Sequence, residues 1–303
     1  MSLSPASLQA LADDTAFCDA LLARSQHLRE QLDARMEQVL VDQLDGLAAA
    51  FKPSQVEVEV DEATRARLFE IVARQWAHVG EQMPHFSVLS HEDWRPEQLT
   101  AERLADFYET GRGELVLLRR LLSQVGLGLP CKARCVELGC GVGRVTVHLA
   151  PQFGEVEGLD VSPGNLAECE RALAARDIRN VRLTRLQAPP DIQQLAPYDL
   201  LFSRMVLQHN PPPIQHYLLR ELLARLRPGG IVVFQLVTGG PSYGYLAAQH
   251  LQKHATTDFE IHALPMPAAL ALLRASGCAL LDVFRDTAGG FNVSSYTFLA
   301  QKL

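Results

Sequence analysis

Three glycines at alternate positions, Gly139, Gly141 and Gly143, follow the apolar run Cys135-Val-Glu-Leu138, and Arg144 opens a stretch that reads as a helix. Glycine lets the backbone turn sharply and approach a ligand with no Cβ between them. A strand that feeds such a loop and then a helix is how α/β proteins seat nucleotide-like ligands at the carboxyl ends of their strands. Asp160 closes the next apolar run, at 156–160. A carboxylate there can accept both hydroxyl hydrogens of a ribose. A dinucleotide fingerprint needs glycine at the first, third and sixth positions of the loop. Counted from Gly139 the sixth is Arg144, so that fingerprint fails.

The elements that must position these residues follow from period and punctuation. After Pro130 strands alternate with helices: strands over 135–138, 156–160, 181–186 and 198–204, helices over 144–150, 163–176 and 213–226. The run over 198–204 is apolar throughout, as in a strand buried on both faces. Ser162 is placed to cap the helix that follows it. Arg227-Pro-Gly-Gly230 reads as a tight turn into a fifth strand over 231–237. A helix over 265–276 ends at Gly277, and 279–285 with 291–302 reads as a closing antiparallel pair. The expected fold class is α/β: a Rossmann-like sheet of seven strands, the last pair antiparallel, with a helical N-terminal cap.

The first 130 residues have a different texture. From 16 to 51 apolar residues recur at three-, four- and seven-residue steps, which predicts a helix packed on its own domain, with a homodimer contact through it as the alternative. Val56, Val58 and Val60 alternate with acids and suit a short strand or an extended link. Asp61 can cap a helix to about 79 whose inner face carries Leu68, Ile71, Val72 and Trp76. Residues 84–96 read as a loop, Thr100 as the cap of another helix, and Gly111 and Gly113 as its interruption before a helix over 114–124. The expected division is therefore a cap over 1–130 and a ligand-binding domain over 131–303.

Composition narrows the function classes. Of 303 residues 48% are hydrophobic and 21% charged, which suits a globular chain, and the net charge is −7. Nucleic-acid binding is not expected of so acidic a chain. No apolar run approaches the ~18 residues of a membrane span, and the N-terminus lacks a signal peptide's basic and apolar regions. Neither membrane association nor export is expected, and the expected compartment is the cytoplasm. Of the six cysteines only Cys131 and Cys135 are close, and no second Cys or His pair follows at zinc-site spacing, so no metal is expected.

Taken together these stretches resemble class I S-adenosylmethionine-dependent methyltransferases over residues 133–303. VELGCGVGR is similar to their first motif, GLDVSP to their ribose motif, YDLLFSRMVLQH to their fourth-strand motif, and LRPGG to the turn into their fifth strand. The resemblance implies that Glu137, Gly139, Cys140 and Gly141 line the cofactor with Asp160. It further implies that Val161 packs on the adenine and that Ser203 and Arg204 lie near the methionine end. The position after the third strand often carries Asp for the adenine amino group; here Gln187 and Ala188 stand there. A Gln carbonyl can accept the same hydrogen bond.

Transfer from a sulfonium needs its acceptor held in line more than it needs covalent help. A base is required only where the acceptor must lose a proton. His209, just after the fourth strand, is the first candidate, and the alternative is that it caps the turn at Pro211. His262 lies in the insertion between the fifth strand and the last helix, where acceptors are commonly met. Tyr108 sits in the cap, where a ring face near a sulfonium gains about 1 kcal/mol, or else it is a core residue. The expected activity is methyl transfer to an oxygen or nitrogen of a small molecule. Two alternatives bind the same ligand. One is chemistry at another carbon, such as cyclisation to azetidine-2-carboxylate plus methylthioadenosine, or aminocarboxypropyl transfer. The other is a non-catalytic binding partner.

Overall fold

The computed structural model describes residues 14–16, 19–20, 23–31, 38, 55–130, 132–241, 243–253, 259–290 and 292–303. Residues 23–31 are helical and exposed. Most of the apolar stripe expected over 16–51, and the dimer contact expected from it, lies outside the described residues. The chain's contacts divide it between Pro53 and Ser54, not near Pro130. The helices over 62–124 therefore share one compact unit with the sheet.

That unit is built on seven strands in the order β3-β2-β1-β4-β5-β7-β6. They are β1 (Arg134–Leu138), β2 (Glu155–Asp160), β3 (Val181–Arg185), β4 (Tyr198–Ser203), β5 (Leu226–Gly239), β6 (Cys278–Asp286) and β7 (Ser294–Lys302). Strands β1 to β5 pair in parallel, and β7 inserts antiparallel between β5 and β6. The expected turn at 227–230 is absorbed into β5, where Gly229 takes φ +77° and the β4 register shifts.

Both faces of the sheet are covered, and alternate residues of one strand feed opposite cores. Val136 and Leu138 of β1, Leu201 of β4 and Val232, Phe234 and Leu236 of β5 pack on one face. The helices there include α1 (Glu62–Gln82), α7 (Pro212–Arg225) and α9 (Met266–Ala275). Cys135, Leu200, Phe202, Ile231 and Val233 pack on the other face, against α4 (Arg112–Gln124). The remaining helices are α2 (Pro84–Val88), α3 (Ala101–Thr110), α5 (Thr146–Leu149), α6 (Pro163–Ala174) and α8 (Ala247–Gln252).

Side-chain caps set three of the helix starts. Asp61 accepts from the Thr64 N–H, Thr100 from Arg103 and Ser162 from Asn165. On α1 Phe69, and not Ile71, is among the buried residues with Leu68 and Val72. Val56 makes an isolated parallel bridge to Tyr245, so the expected strand is one rung long. The expected loop at 84–96 instead holds α2 and two single 3₁₀ turns, at Glu92–Trp94 and Pro96–Gln98. Pro84 and Pro96 stand at first helical positions, where the missing N–H costs nothing.

Candidate active site

The sheet reverses direction of growth between β1 and β4, and a cavity of about 300 Å³ lies at the carboxyl ends there. Its floor is the glycine loop. Gly139 and Gly141 take φ of +74° and +55°, the left-handed region. A Cβ on Gly139 would stand 2.2 Å from Val206 Cγ2, and one on Gly141 2.6 Å from Val88 Cγ2. Asp160 holds this loop to β2: Oδ2 accepts from Gly141 N–H at 2.9 Å and Oδ1 from Ser162 N–H at 2.8 Å. Burial raises the Asp160 pKa, and those backbone donors oppose the rise. Each oxygen keeps a lone pair for a further donor. Contact with Cys169 and burial hold the Cys140 thiol well above its ordinary range.

Charge gathers in the cavity wall at the start of α4. Glu114 Oε1 lies 3.6 Å from one Arg144 nitrogen, and Glu114 Oε2 3.3 Å from Arg204 Nε. All three side chains are largely buried. The geometry is that of an ion-pair cluster with incomplete hydrogen bonding: Glu114 Oε2, Arg144 Nε and Arg204 Nε have no hydrogen-bond partner among the described residues. Orphaned buried polar atoms are rare where no ligand is served. Nearby, Glu137 accepts from the Thr146 hydroxyl at 2.7 Å. Burial pushes its carboxyl up to about 7, against the pull of Thr146 and Arg144.

The third wall is the loop after β4. Met205 sits at φ +58°, a strained position for a side chain of its size, and its N–H donates to Gln235 Oε1 at 3.1 Å. Gln235, fully buried on β5, donates in turn to Gln208 Oε1 and to Ser295 Oγ on β7, each at 2.9 Å. Ser295 donates to Asp286 of β6 at 2.6 Å. His209 lines the cavity next to this chain. Its Nδ1–H donates to the Glu260 carbonyl at 3.2 Å, which fixes the tautomer and leaves Nε2 as the acceptor. Burial lowers its pKa, so the ring is neutral near pH 7. Trp76 of α1 stacks edge-on at 5.2 Å, and Phe259 lies 5.1 Å from Trp76.

The cavity thus brings together Glu137, Gly139, Cys140, Gly141, Asp160, Val161, Arg204 and His209. It does not bring in five other residues singled out above. The Ser203 side chain is buried, its hydroxyl donating to the Leu138 carbonyl at 3.2 Å. Gln187 and Ala188 are exposed, and their N–H groups donate to Asp191. Tyr108 buttresses the glycine loop from behind: its hydroxyl donates to the Val142 carbonyl, and Arg176 covers its ring at 4.3 Å. His262 lies in a separate cleft with His250 and Glu260. Sequence reasoning missed Glu114, Arg144 as a side chain, Trp76 as a cavity residue, and Phe259. Glu114 reads from sequence as an acid in the first turn of a helix, an ordinary dipole partner.

A parallel sheet with its last strand reversed, a glycine loop after β1 and an acid closing β2 define a Rossmann-like domain built for a nucleoside-bearing ligand. Residues 136–232 match the family model described as a methyltransferase domain. A trans-aconitate 2-methyltransferase of Methylobacterium nodulans is 34% identical over 185 residues, 55% of this chain and 64% of that protein. A protein-L-isoaspartate O-methyltransferase of Anaeromyxobacter dehalogenans is 32% identical over 143 residues, 46% of this chain and 64% of that protein. The chain spans less than two thirds of the length of these curated relatives. Among solved structures, magnesium protoporphyrin IX methyltransferase of Synechocystis shares the fold, with a TM-score of 0.52 and 17% identity over 77% of this chain and 99% of that one. Residues 136–232 thus match a methyltransferase domain, and the chain shares its fold with a methyltransferase of known structure.

Proposed function

We propose that the protein transfers the methyl group of S-adenosylmethionine to an oxygen of a small organic acid. The observation that carries this reading is the pair of buried guanidiniums, Arg144 and Arg204, that share one carboxylate, Glu114, in the cavity wall. The trio carries one net positive charge and unused donors, and charge-assisted hydrogen bonds to an anion are strong in such a place. The methionine end of the cofactor brings one carboxylate, and an acid acceptor brings another. The names of the relatives, a trans-aconitate 2-methyltransferase and an O-methyltransferase, support an oxygen acceptor on an acid.

On the cofactor side, Asp160 would accept the ribose hydroxyls through the lone pairs that Gly141 and Ser162 leave free. Val161, Leu186 and Val72 offer the apolar walls an adenine needs, and Glu137 and Gly139 border the rest. The sulfonium supplies its own leaving group. The chain's part is to hold the acceptor oxygen in line with the methyl carbon and to keep water out. A carboxylate arrives already deprotonated and needs no base. A second reading, a hydroxyl or amine acceptor with His209 as base, is favoured by the neutral imidazole whose Nε2 is the accepting nitrogen, although Gln208 Nε2 lies 3.3 Å from it and would have to give way to the acceptor.

The test is product analysis by mass spectrometry. The protein is incubated with S-adenosylmethionine alone, then with small di- and tricarboxylic acids, then with hydroxylated and amine compounds. The expected result is S-adenosylhomocysteine with a methyl ester from an acid, and nothing from the cofactor alone. Methylthioadenosine would replace this reading with cyclisation or aminocarboxypropyl transfer. Cofactor binding without turnover on any acceptor would leave a binding partner.

A further inference from the structure

Outside the cavity, His250, Glu260 and His262 each bring a ligand atom to within 4.8 Å of the other two. His250 comes from α8, and the other two from the extended segment before α9. Glu260 Oε2 lies 3.1 Å from His262 Nε2 and 3.6 Å from His250 Nδ1. An ion bonded at about 2.0–2.1 Å in a tetrahedral site sets its ligand atoms roughly 3.3–3.4 Å apart. These two spacings bracket that value, and the third has at most about 1.5 Å to close. Two imidazoles and one carboxylate, with a fourth position open, suit a borderline divalent cation better than a hard one.

The surroundings are those of a metal site as well. Ligating histidines have their second ring nitrogen held by a polar partner, and His262 Nδ1 lies 3.4 Å from the Tyr243 hydroxyl. The Tyr245 ring packs on both histidines, each at 5.5 Å. A cleft of about 430 Å³ opens onto all three ligands and gives an ion its way in, with the Lys253 ammonium as the one cation on its rim among the described residues.

We propose that His250, Glu260 and His262 form a three-ligand site for a divalent transition-metal ion of the zinc type. The site also touches the cavity, because the Glu260 main-chain carbonyl is the acceptor that orients His209. An ion on the Glu260 carboxylate pins that residue and thereby braces the acceptor side of the cavity. The cysteine-based search of the sequence passed over this cluster because α8 and the segment before α9 meet only in the fold.

Calorimetric titration of the chelator-treated full chain with Zn²⁺ tests the site directly and reads no turnover, so it stands apart from the proposed reaction. Wild type should bind through this site, and Glu260→Gln and His250→Gln should each weaken that binding at least about tenfold. Both substitutions keep a polar side chain of similar size, and Glu260→Gln keeps the carbonyl that His209 uses. Zn²⁺ should raise the melting temperature of wild type and not that of Glu260→Gln. Wild type without such binding, or variants that bind as wild type does, would overturn the proposal.

Discussion

The two sides of the cavity are made by opposite means. Around β1 and β2 the wall is largely main chain: two glycines of positive φ, Gly139 and Gly141, tied down by Asp160 within a span of some 25 residues. Around β4 it is side chains from distant segments: Trp76 from α1, Glu114 from α4, Arg204 and His209 from the loop, Phe259 from beyond β5. A main-chain wall has its shape set by backbone dihedrals and tolerates almost no substitution. A side-chain wall can be re-aimed one residue at a time, so one fold can keep its cofactor and change its acceptor.

If that contrast is right, damage on the main-chain side should be the greater. Gly139→Val forces a Cβ into Val206 and a β-branched residue into the left-handed region. It should weaken S-adenosylmethionine and S-adenosylhomocysteine alike by more than about a hundredfold in calorimetry, with the far-ultraviolet circular dichroism of the sheet kept. Asp160→Ala removes a charged acceptor for two hydroxyls and the tether of the loop. A hydrogen bond to a charged group contributes about 1.5–3 kcal/mol at most, and with water taking over one of the two hydroxyls both ligands should weaken by roughly ten- to a hundredfold. An unchanged affinity would place the ribose elsewhere.

On the side-chain side the effects should be smaller and selective. Arg204→Met should raise KM for an acid acceptor about tenfold while moving kcat only a few-fold. His209→Gln sharpens the choice of acceptor. With a carboxylate the rate should fall less than about tenfold, whereas a base would cost about 10²–10⁴.

The smallest effect is on stability. Burial raises the Glu137 carboxyl from its ordinary 4.5 to about 7, so folding favours its neutral form. Its contribution is complete below the unfolded pKa and is lost as pH rises through about 7. Glu137→Gln removes that loss. The melting temperature of the variant should gain on wild type between about pH 5 and about pH 8, by a few degrees for roughly 1–2 kcal/mol. A gap that does not change with pH would mean that Glu137 stays ionised.

The same contrast explains what could be read beforehand. The glycine loop, Asp160, the caps at Asp61, Thr100 and Ser162, and the reversed last pair are local patterns, and each stands where spacing put it. The Glu114–Arg144–Arg204 cluster joins residues from three segments that no period links, and His209 finds its acceptor 51 residues away. Tyr108 was drawn toward the cofactor by its ring, but its hydroxyl had a main-chain carbonyl to satisfy first.

The hydrogen-bonded file from Met205 through Gln235 and Ser295 to Asp286 runs across the sheet from the acceptor loop to the hairpin of β6 and β7. Its timing in biosynthesis follows. The glycine loop has its hydrogen-bond partners once α6 has left the ribosome, whereas the strained turn at Met205 waits for Gln235, and Gln235 waits for the last strand. The chain would hold a place for the nucleoside early and finish the mouth that admits the acceptor only at the end of its own synthesis.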